Sequence, residues 1–255
     1  MTAHLIGVTG VPGTGKSYFA RSARDLGKTA VAVCDPKEVS FYGANDVTLF
    51  ADLEWRPHLG QFHSTAMSKL LTWLDACGKD ADLRYVVIDP VSEVSDFAMR
   101  EVLKVHATND PSDVEYGRAY TAHDQQIKTL MTELRRLFAV GKTVICTFHG
   151  QMKELEGQGT AKAVGGFKGK AELKFDEQLL PVMATNIRQR IQSPFDLWLY
   201  TMPQGFGPAR RYYVTAQADA QRPAKHSVAF KPGTNLAMIG NSLKELLSVI
   251  QEPTP

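Results

Sequence analysis

Eight residues near the start of the chain have the types and spacing of a phosphate-binding loop. Residues 10–17 read GVPGTGKS and match the pattern G-x-x-x-x-G-K-[ST] in full. The largely apolar residues 4–9 before them predict a buried strand, and residues 17–24 predict a helix. A strand, a glycine-rich turn and a helix N-terminus aim several backbone N–H groups at one anion. The sequence therefore predicts that the chain binds a nucleoside triphosphate.

Different residues of this loop are predicted to contact different parts of the nucleotide and its metal ion. Glycine allows the backbone to turn tightly and to approach phosphate oxygens. Lys16 is predicted to reach the β- and γ-phosphates and to act in catalysis, and the Ser17 hydroxyl is predicted to ligate Mg²⁺. The alternative is a chance glycine turn that contains a lysine. The predicted nucleotide-binding residues are Gly10, Val11, Pro12, Gly13, Thr14, Gly15, Lys16, Ser17 and Tyr18.

A second carboxylate is expected at the end of a neighbouring buried strand, where it holds the Mg²⁺ shell. Residues 85–88 read YVVI and predict this strand, and Asp89 follows it directly. Asp89 is thus the predicted Walker B aspartate and metal ligand, and a turn-forming Asp-Pro pair is the alternative. Because residue 90 is proline, the base that activates water must come from another segment.

The candidate bases follow the second predicted strand, residues 29–34, which we expect next to the P-loop strand. A carboxylate at the end of that strand points at a water lined up on the γ-phosphate. Glu38 is therefore the predicted catalytic base, with a solvated loop acid as the alternative. Glu54 is a second candidate, and Asp35 is predicted to cap the following turn.

A polar side chain is also expected at the end of the fourth predicted strand, residues 143–148. In that position it faces the γ-phosphate and reports its presence by hydrogen bonding. His149 is the predicted sensor, and Gln151 is the reserve. The alternative is a histidine with a structural role.

Composition sets broad limits on the function. A net charge of +2 gives no global signal for nucleic acid, so such binding requires a local patch. The three cysteines are far apart, which predicts buried free thiols in a reducing cytoplasm. We expect neither a signal peptide nor a membrane partner, because the chain begins with a strand and no apolar run approaches the ~18 residues that a span needs.

The order of predicted elements indicates an α/β fold. Strands alternate with helices over most of the chain, which favours a mostly parallel central sheet flanked by helices. In the helix at 119–140, Ile127, Leu130, Leu134, Leu137 and Phe138 are predicted to share the buried side. The remaining predictions are helices at 64–76, 93–105 and 242–250, a glycine- and lysine-rich loop at 150–174, and a late antiparallel hairpin formed by 196–201 and 210–215.

Taken together, the motifs resemble those of the phage-type RecA-core ATPases, the compact P-loop proteins related to RecA that include single-strand annealing recombinases. The resemblance covers roughly residues 3–216. The residues that carry it occur in the family's order, and they are the P-loop at 10–17, Val87-Ile88-Asp89, Tyr116-Gly117 before a long helix, the strand that ends in His149, and Phe195-Asp196.

The resemblance implies one RecA-like ATPase domain over residues 1–255, with a core at about 3–216 and a C-terminal extension at 217–255. It implies ATP and Mg²⁺ as ligands and ATP hydrolysis as the reaction. It further implies a role in phage DNA recombination or replication within the host bacterial cytoplasm. Single-stranded DNA is the partner it implies, with a homo-oligomer and a single-strand-binding protein as further partners.

In RecA-like folds a DNA-binding loop follows the sensor strand, which corresponds here to the loop at 150–174. Its lysines are suited to phosphates, and Phe167 is suited to stacking on a base. Its glutamates keep a plain solvated loop as the alternative. Arg188 and Arg190 either extend this patch or reach a neighbour's γ-phosphate, as do Arg210, Arg211 and Lys225. The predicted DNA-binding residues are Lys162, Phe167, Lys168, Lys170, Arg188 and Arg190.

Two other functions remain open from the sequence. A P-loop kinase of a small molecule or nucleotide needs an arginine-rich lid and an acceptor pocket. A nucleotide-gated module that binds a partner with little turnover needs no catalytic base. A GTPase is excluded, because the chain has no N-K-x-D motif to read guanine.

Overall fold

The structure, a computed structural model, describes residues 2–43, 47–154, 177–183, 187, 191–205, 209–219 and 221–251. Its strands are β1 (Leu5–Gly10), β2 (Thr29–Val33), β3 (Val47–Leu49), β4 (Trp55–Arg56), β5 (Gln61–Phe62), β6 (Tyr85–Asp89), β7 (Thr143–Glu154), β8 (Glu177–Pro181), β9 (Leu197–Gln204), β10 (Arg211–Thr215), β11 (Lys225–His226) and β12 (Ile239–Gly240). Its α-helices with described bounds are α1 (Lys16–Arg21), α2 (Val39–Tyr42), α3 (Ala66–Lys79), α4 (Val91–Leu103), α5 (Arg118–Ala139) and α6 (Leu243–Val249).

One large sheet organises the molecule, with the strand order β12-β10-β9-β1-β7-β6-β2-β3. The six strands from β9 to β3 run parallel, and β10 lies antiparallel to β9. The fold is therefore the predicted mostly parallel sheet flanked by helices, with a late antiparallel hairpin.

The strand order corrects one prediction about the site. The neighbours of β1 are β7 and β9, so neither β2 nor β6 lies next to the P-loop strand. Instead β7 separates β6 from β1, and β2 lies beyond β6. This order was not predicted from the sequence, because spatial order depends on how each crossover helix packs on the sheet rather than on the order of the strands along the chain.

Two apolar layers cover the faces of the sheet. In β6, Val86 and Ile88 pack into the cluster that contains the buried residues of α3, α4 and α5. Val87, between them, packs into the cluster that contains Phe19 of α1 and Leu243 of α6. This alternation follows from the two-residue repeat of a strand, and it leaves the carboxyl ends of the parallel strands free to form a site.

Helix α5 supplies most of one layer. Ile127, Leu130, Leu134 and Leu137 are buried, as predicted, whereas Phe138 is 37% exposed. The prediction for Phe138 was wrong: this residue lies in the last turn of the helix, which ends at Ala139, and it is not part of the buried layer.

Strand β7 is longer than the sequence predicted. Residues 150–154, expected to begin a loop, continue the strand and pair antiparallel with β8. The pairing partner lies beyond the glycine-rich segment, and such non-local pairing leaves no periodic signal in either segment. The rest of the predicted loop lies outside the described residues.

The C-terminal segment packs on the core. Strand β12 pairs with β10, and the buried residues Leu243 and Leu246 of α6 join the layer around α1. The Leu243 backbone N–H donates to the Ser22 hydroxyl at 2.8 Å, which ties α6 to the end of the first helix. None of the described helices combines the length and apolarity that a membrane crossing requires.

Candidate functional site

The loop between β1 and α1 is held in a conformation that its glycines permit. Gly13 and Gly15 have φ angles of 75° and 93°, a left-handed region that side chains disfavour. The Thr14 hydroxyl donates to the Val11 carbonyl at 2.7 Å and lies 2.6 Å from the Thr201 hydroxyl on β9. A methyl group on Gly10 would collide with these two hydroxyls. Strand β9 therefore supports the shape of the loop.

Five predicted site residues from four segments meet in one cavity of about 600 Å³, which we call the P-loop cavity. Lys16 and Ser17 begin α1, Glu38 follows β2, Asp89 ends β6 and His149 lies on β7. Among the predicted nucleotide contacts, Pro12, Gly13, Gly15 and Tyr18 also line the P-loop cavity. Phe41 and Tyr212 line it as well, and the sequence predicted neither.

Lys16 is buried, and its Nζ donates to the Val11 carbonyl at 3.0 Å. Burial lowers the pKa of its ammonium group, and the nearby carboxylates of Asp89 and Glu38 oppose that shift. The lysine is thus held across the loop beside two carboxylates, a position from which its ammonium group can approach an anion.

Asp89 is 2% exposed, and hydroxyl groups engage both of its carboxylate oxygens. Oδ2 accepts a hydrogen bond of 2.5 Å from Tyr42 on α2, and Oδ1 accepts one from Thr147 on β7. Neither partner was predicted. Thr147 lies two residues before His149 and therefore faces the same side of the strand. That spacing could have identified Thr147 as a site residue, whereas no pattern in the sequence marks Tyr42.

Glu38 ends a 3₁₀ turn, Pro36–Glu38, which brings its carboxylate to the P-loop cavity although β2 is not adjacent to β1. Asp35 caps this turn, as predicted, by accepting from the Lys37 N–H at 3.0 Å. Burial and then the Asp89 charge raise the pKa of Glu38, and a hydrogen bond from Ser17 partly opposes them. Glu54, the second candidate, is exposed on the segment before β4.

His149 lies inside β7 and not at its end, which corrects the prediction, but it occupies the last position of the parallel pairing with β1, opposite Gly10. Its backbone N–H donates to the Ser92 hydroxyl at 3.0 Å. Its side-chain Nδ1 is buried and has no hydrogen-bond partner among the described residues. Burial and then the Lys16 charge lower the pKa of the imidazole, which favours the neutral form. The reserve residue, Gln151, is exposed.

The donor set of the P-loop cavity fits Mg²⁺ bound together with a phosphate. The Ser17 hydroxyl and the carboxylates of Asp89 and Glu38 are hard oxygen ligands, which Mg²⁺ prefers. The described ranges contain no group of three or more histidine, cysteine or acidic residues that would cage a metal by itself. Mg²⁺ typically takes one or two protein ligands and completes its shell with substrate phosphates and water. The few oxygen ligands of the P-loop cavity fit this mode of binding.

Comparison with known proteins agrees with this geometry. The family described as AAA domain matches residues 3–227, which include every residue of the P-loop cavity. The chain belongs to the AAA domain family. This AAA domain is accordingly a nucleotide-binding P-loop NTPase.

No curated protein shows significant sequence similarity to this AAA domain. Among solved structures, the flagellar accessory protein FlaH from Methanocaldococcus jannaschii is similar, with 12% identity over 99% of this chain and 92% of that chain, at a TM-score of 0.40.

The residues predicted to bind DNA are not part of the described site. Lys162, Phe167, Lys168, Lys170, Arg188 and Arg190 all lie outside the described residues. Of the other residues predicted to extend the DNA patch or to reach a neighbour's γ-phosphate, Arg210 lies 5.3 Å from the centre of the Tyr212 ring. Lys225 on β11 donates to the Gln192 and Ser193 carbonyls, so its ammonium group is engaged within the chain.

Proposed function

We propose that this AAA domain hydrolyses ATP with Mg²⁺, with single-stranded DNA as its partner in phage DNA recombination or replication. The observation that carries the proposal is the meeting of Lys16, Ser17, Glu38, Asp89 and His149 in one cavity. These side chains supply a cation, two hard oxygen ligands, a carboxylate of raised pKa and an uncommitted imidazole nitrogen. A cation, metal ligands and a group that activates water are the parts on which phosphoryl transfer depends.

In this proposal the backbone N–H groups of the loop and Lys16 orient the β- and γ-phosphates. Ser17 and Asp89 hold Mg²⁺, which when bound neutralises charge on the phosphate oxygens. Glu38 takes a proton from water while the water oxygen bonds to the γ-phosphorus. The bond from that phosphorus to the β,γ-bridging oxygen breaks, which releases ADP and phosphate.

The environment of Glu38 and His149 supports these two roles. A base works best when its pKa lies near the working pH, and burial beside Asp89 moves the pKa of Glu38 in that direction. The orphaned Nδ1 of His149 has capacity for one further hydrogen bond, which a γ-phosphate oxygen or its bound water can fill.

Single-stranded DNA is proposed on the sequence resemblance and on the lysines and Phe167 of the segment after β7. Self-association and binding to a single-strand-binding protein also remain predictions of that resemblance. One domain over the whole chain is likewise our proposal, supported by the pairing of β11 and β12 with the main sheet.

Phosphate release measured with and without single-stranded DNA tests the proposal. We expect turnover that DNA stimulates, and we expect Lys16→Ala to lower it by at least ~10²-fold, because the transition-state charge loses its cation. Lys69→Ala, at an exposed position of α3, is the matched control and should retain full turnover. Label appearing on a small acceptor would identify a kinase instead, and nucleotide binding without turnover would identify a gated binding module.

A further inference from the structure

A second cavity adjoins the P-loop cavity on the side of β10 and β12. It has a volume of about 430 Å³ and shares Tyr18 and Tyr212 with the P-loop cavity. Arg211, Asn241 and Glu245 also line it. We call it the side cavity. A nucleoside triphosphate extends well beyond its phosphates, so its base needs space next to the loop, and the side cavity offers that space with two aromatic rings.

The rings that join the two cavities are accessible to a ligand. Tyr18 is 59% exposed and Tyr212 is 36% exposed. The ring of Tyr212 lies against the loop, since a methyl group on Gly15 would come within 3.2 Å of two of its carbon atoms. A planar base that stacks on either phenol ring could belong to the same nucleotide as the phosphates held by the loop.

Asn241 is the buried polar side chain among those that line the side cavity. It is 6% exposed, and its Nδ2 donates to the Gly15 carbonyl at 3.1 Å. Because a carbonyl can only accept, this bond fixes which end of the amide faces the loop. The other end, Oδ1, is buried and has no hydrogen-bond partner in the part of the chain that the structure describes. A buried acceptor without a donor is costly, which points to a ligand that donates.

We propose that Asn241 selects the nucleobase, its Oδ1 accepting a hydrogen bond from the exocyclic amine of adenine. The base lies in the side cavity against Tyr18 or Tyr212. Guanine and hypoxanthine carry a carbonyl oxygen at the ring position of that amine, and an acceptor there cannot satisfy Oδ1. The assignment rests on the proposed function, because it requires a triphosphate seated on the P-loop.

The test compares ATP with two analogues in equilibrium binding to the full chain with Mg²⁺. Inosine triphosphate replaces the amine by a carbonyl oxygen, and purine riboside triphosphate lacks any group at that position. We expect both to bind the unaltered protein at least about tenfold more weakly than ATP, the effect of one unmade hydrogen bond to a buried acceptor. In Asn241→Leu the three affinities should become equal within about twofold.

Two controls separate base selection from damage to the loop. Inorganic tripolyphosphate has no base to be read, so a change in its affinity in Asn241→Leu measures the loss of the Nδ2 contact with Gly15 and is subtracted from the change for ATP. Asn235→Leu, at an exposed asparagine of the same segment, should keep the preference for ATP. Tyr212→Leu should weaken all three nucleotides by a similar factor, because stacking does not depend on the exocyclic group.

The outcomes distinguish this inference from the function on which it rests. Equal binding of the three nucleotides by the unaltered protein overturns the role of Asn241 and leaves the proposed ATPase standing. A preference for ATP that persists in Asn241→Leu overturns it as well. Failure to bind both ATP and tripolyphosphate overturns the proposed function and this inference together.

Discussion

Hydroxyl groups, and not cations, hold the acidic residues at the centre of the site. Tyr42 and Thr147 donate to Asp89, and the Ser17 hydroxyl partly opposes the rise in the pKa of Glu38. Among the described residues neither carboxylate forms an ion pair. Neutral donors position a carboxylate without cancelling its charge, so the negative charge stays available to a metal ion and to Lys16.

Glu38 provides a test at this scale. We expect Glu38→Gln to bind ATP with near-normal affinity and to lower turnover by ~10²–10⁴-fold, because the amide cannot accept the proton from water. Burial and Asp89 raise the pKa of Glu38, and a base is active only when deprotonated. The turnover of the unaltered protein should therefore fall on acidification at a pH above the ordinary glutamate range.

The measurements are phosphate release across pH and equilibrium binding of ATP. Glu54→Gln, the exposed second candidate, is the control and should leave the rate and the pH profile unchanged. If Glu38→Gln retains turnover with the same acidic limb, another group activates the water.

At the scale of secondary structure, the site depends on elements that never touch a phosphate. Strand β9 supports the loop through Thr201 and Thr14, and α2 places Tyr42 on Asp89. The helical layer of α3, α4 and α5 in turn supports the sheet from one face. Substitutions in that layer should lower the free energy of unfolding more than they change the rate of the reaction.

Two residues of helix α5 test this expectation. Leu134 is fully buried in the layer, so Leu134→Ala should lower the free energy of unfolding by about 2–5 kcal/mol through lost burial and a residual cavity. Phe138→Ala, one turn further along and 37% exposed, should cost clearly less although it removes a larger side chain. Urea unfolding of both variants measures the difference. Equal losses would show that Phe138 packs as the periodicity predicted.

For the molecule as a whole, net charge limits how the proposed DNA partner could be bound. A net charge of +2 provides no general attraction for nucleic acid, so affinity must come from a local cluster of cations. The segment after β7 carries Lys162, Lys168 and Lys170, which are the predicted contacts.

Removing two of these lysines tests the DNA proposal. The double variant Lys168→Ala with Lys170→Ala should bind single-stranded DNA about tenfold more weakly, and its slope of log affinity against log salt should fall by about 1.4, the value for two lost phosphate contacts. Lys69→Ala with Lys244→Ala, at exposed positions of α3 and α6, removes the same charge elsewhere. Fluorescence anisotropy in a salt series measures both. Indistinguishable slopes for the two double variants would remove this segment from the DNA site.

The sequence predicted the fold well because each element has its own local signal. The P-loop, the buried strands and the amphipathic helices are recognisable from spacing alone, and the structure confirms them. Prediction failed where pairing is non-local, as between β7 and β8, and where a residue in the last turn of a helix was expected to be buried, as with Phe138.

The side chains that can act on a phosphate are recognisable from local features of the chain, namely the glycine pattern, Lys16, Ser17 and the residues that follow buried strands. The environment of those side chains depends on the folded arrangement of distant segments. Thr201, Tyr212 and Asn241 contact the loop from segments up to 226 residues away, and Tyr42 and Thr147 hold Asp89. The strand order of the sheet and the packing of the C-terminal segment bring them together, and neither is encoded in any short stretch of sequence.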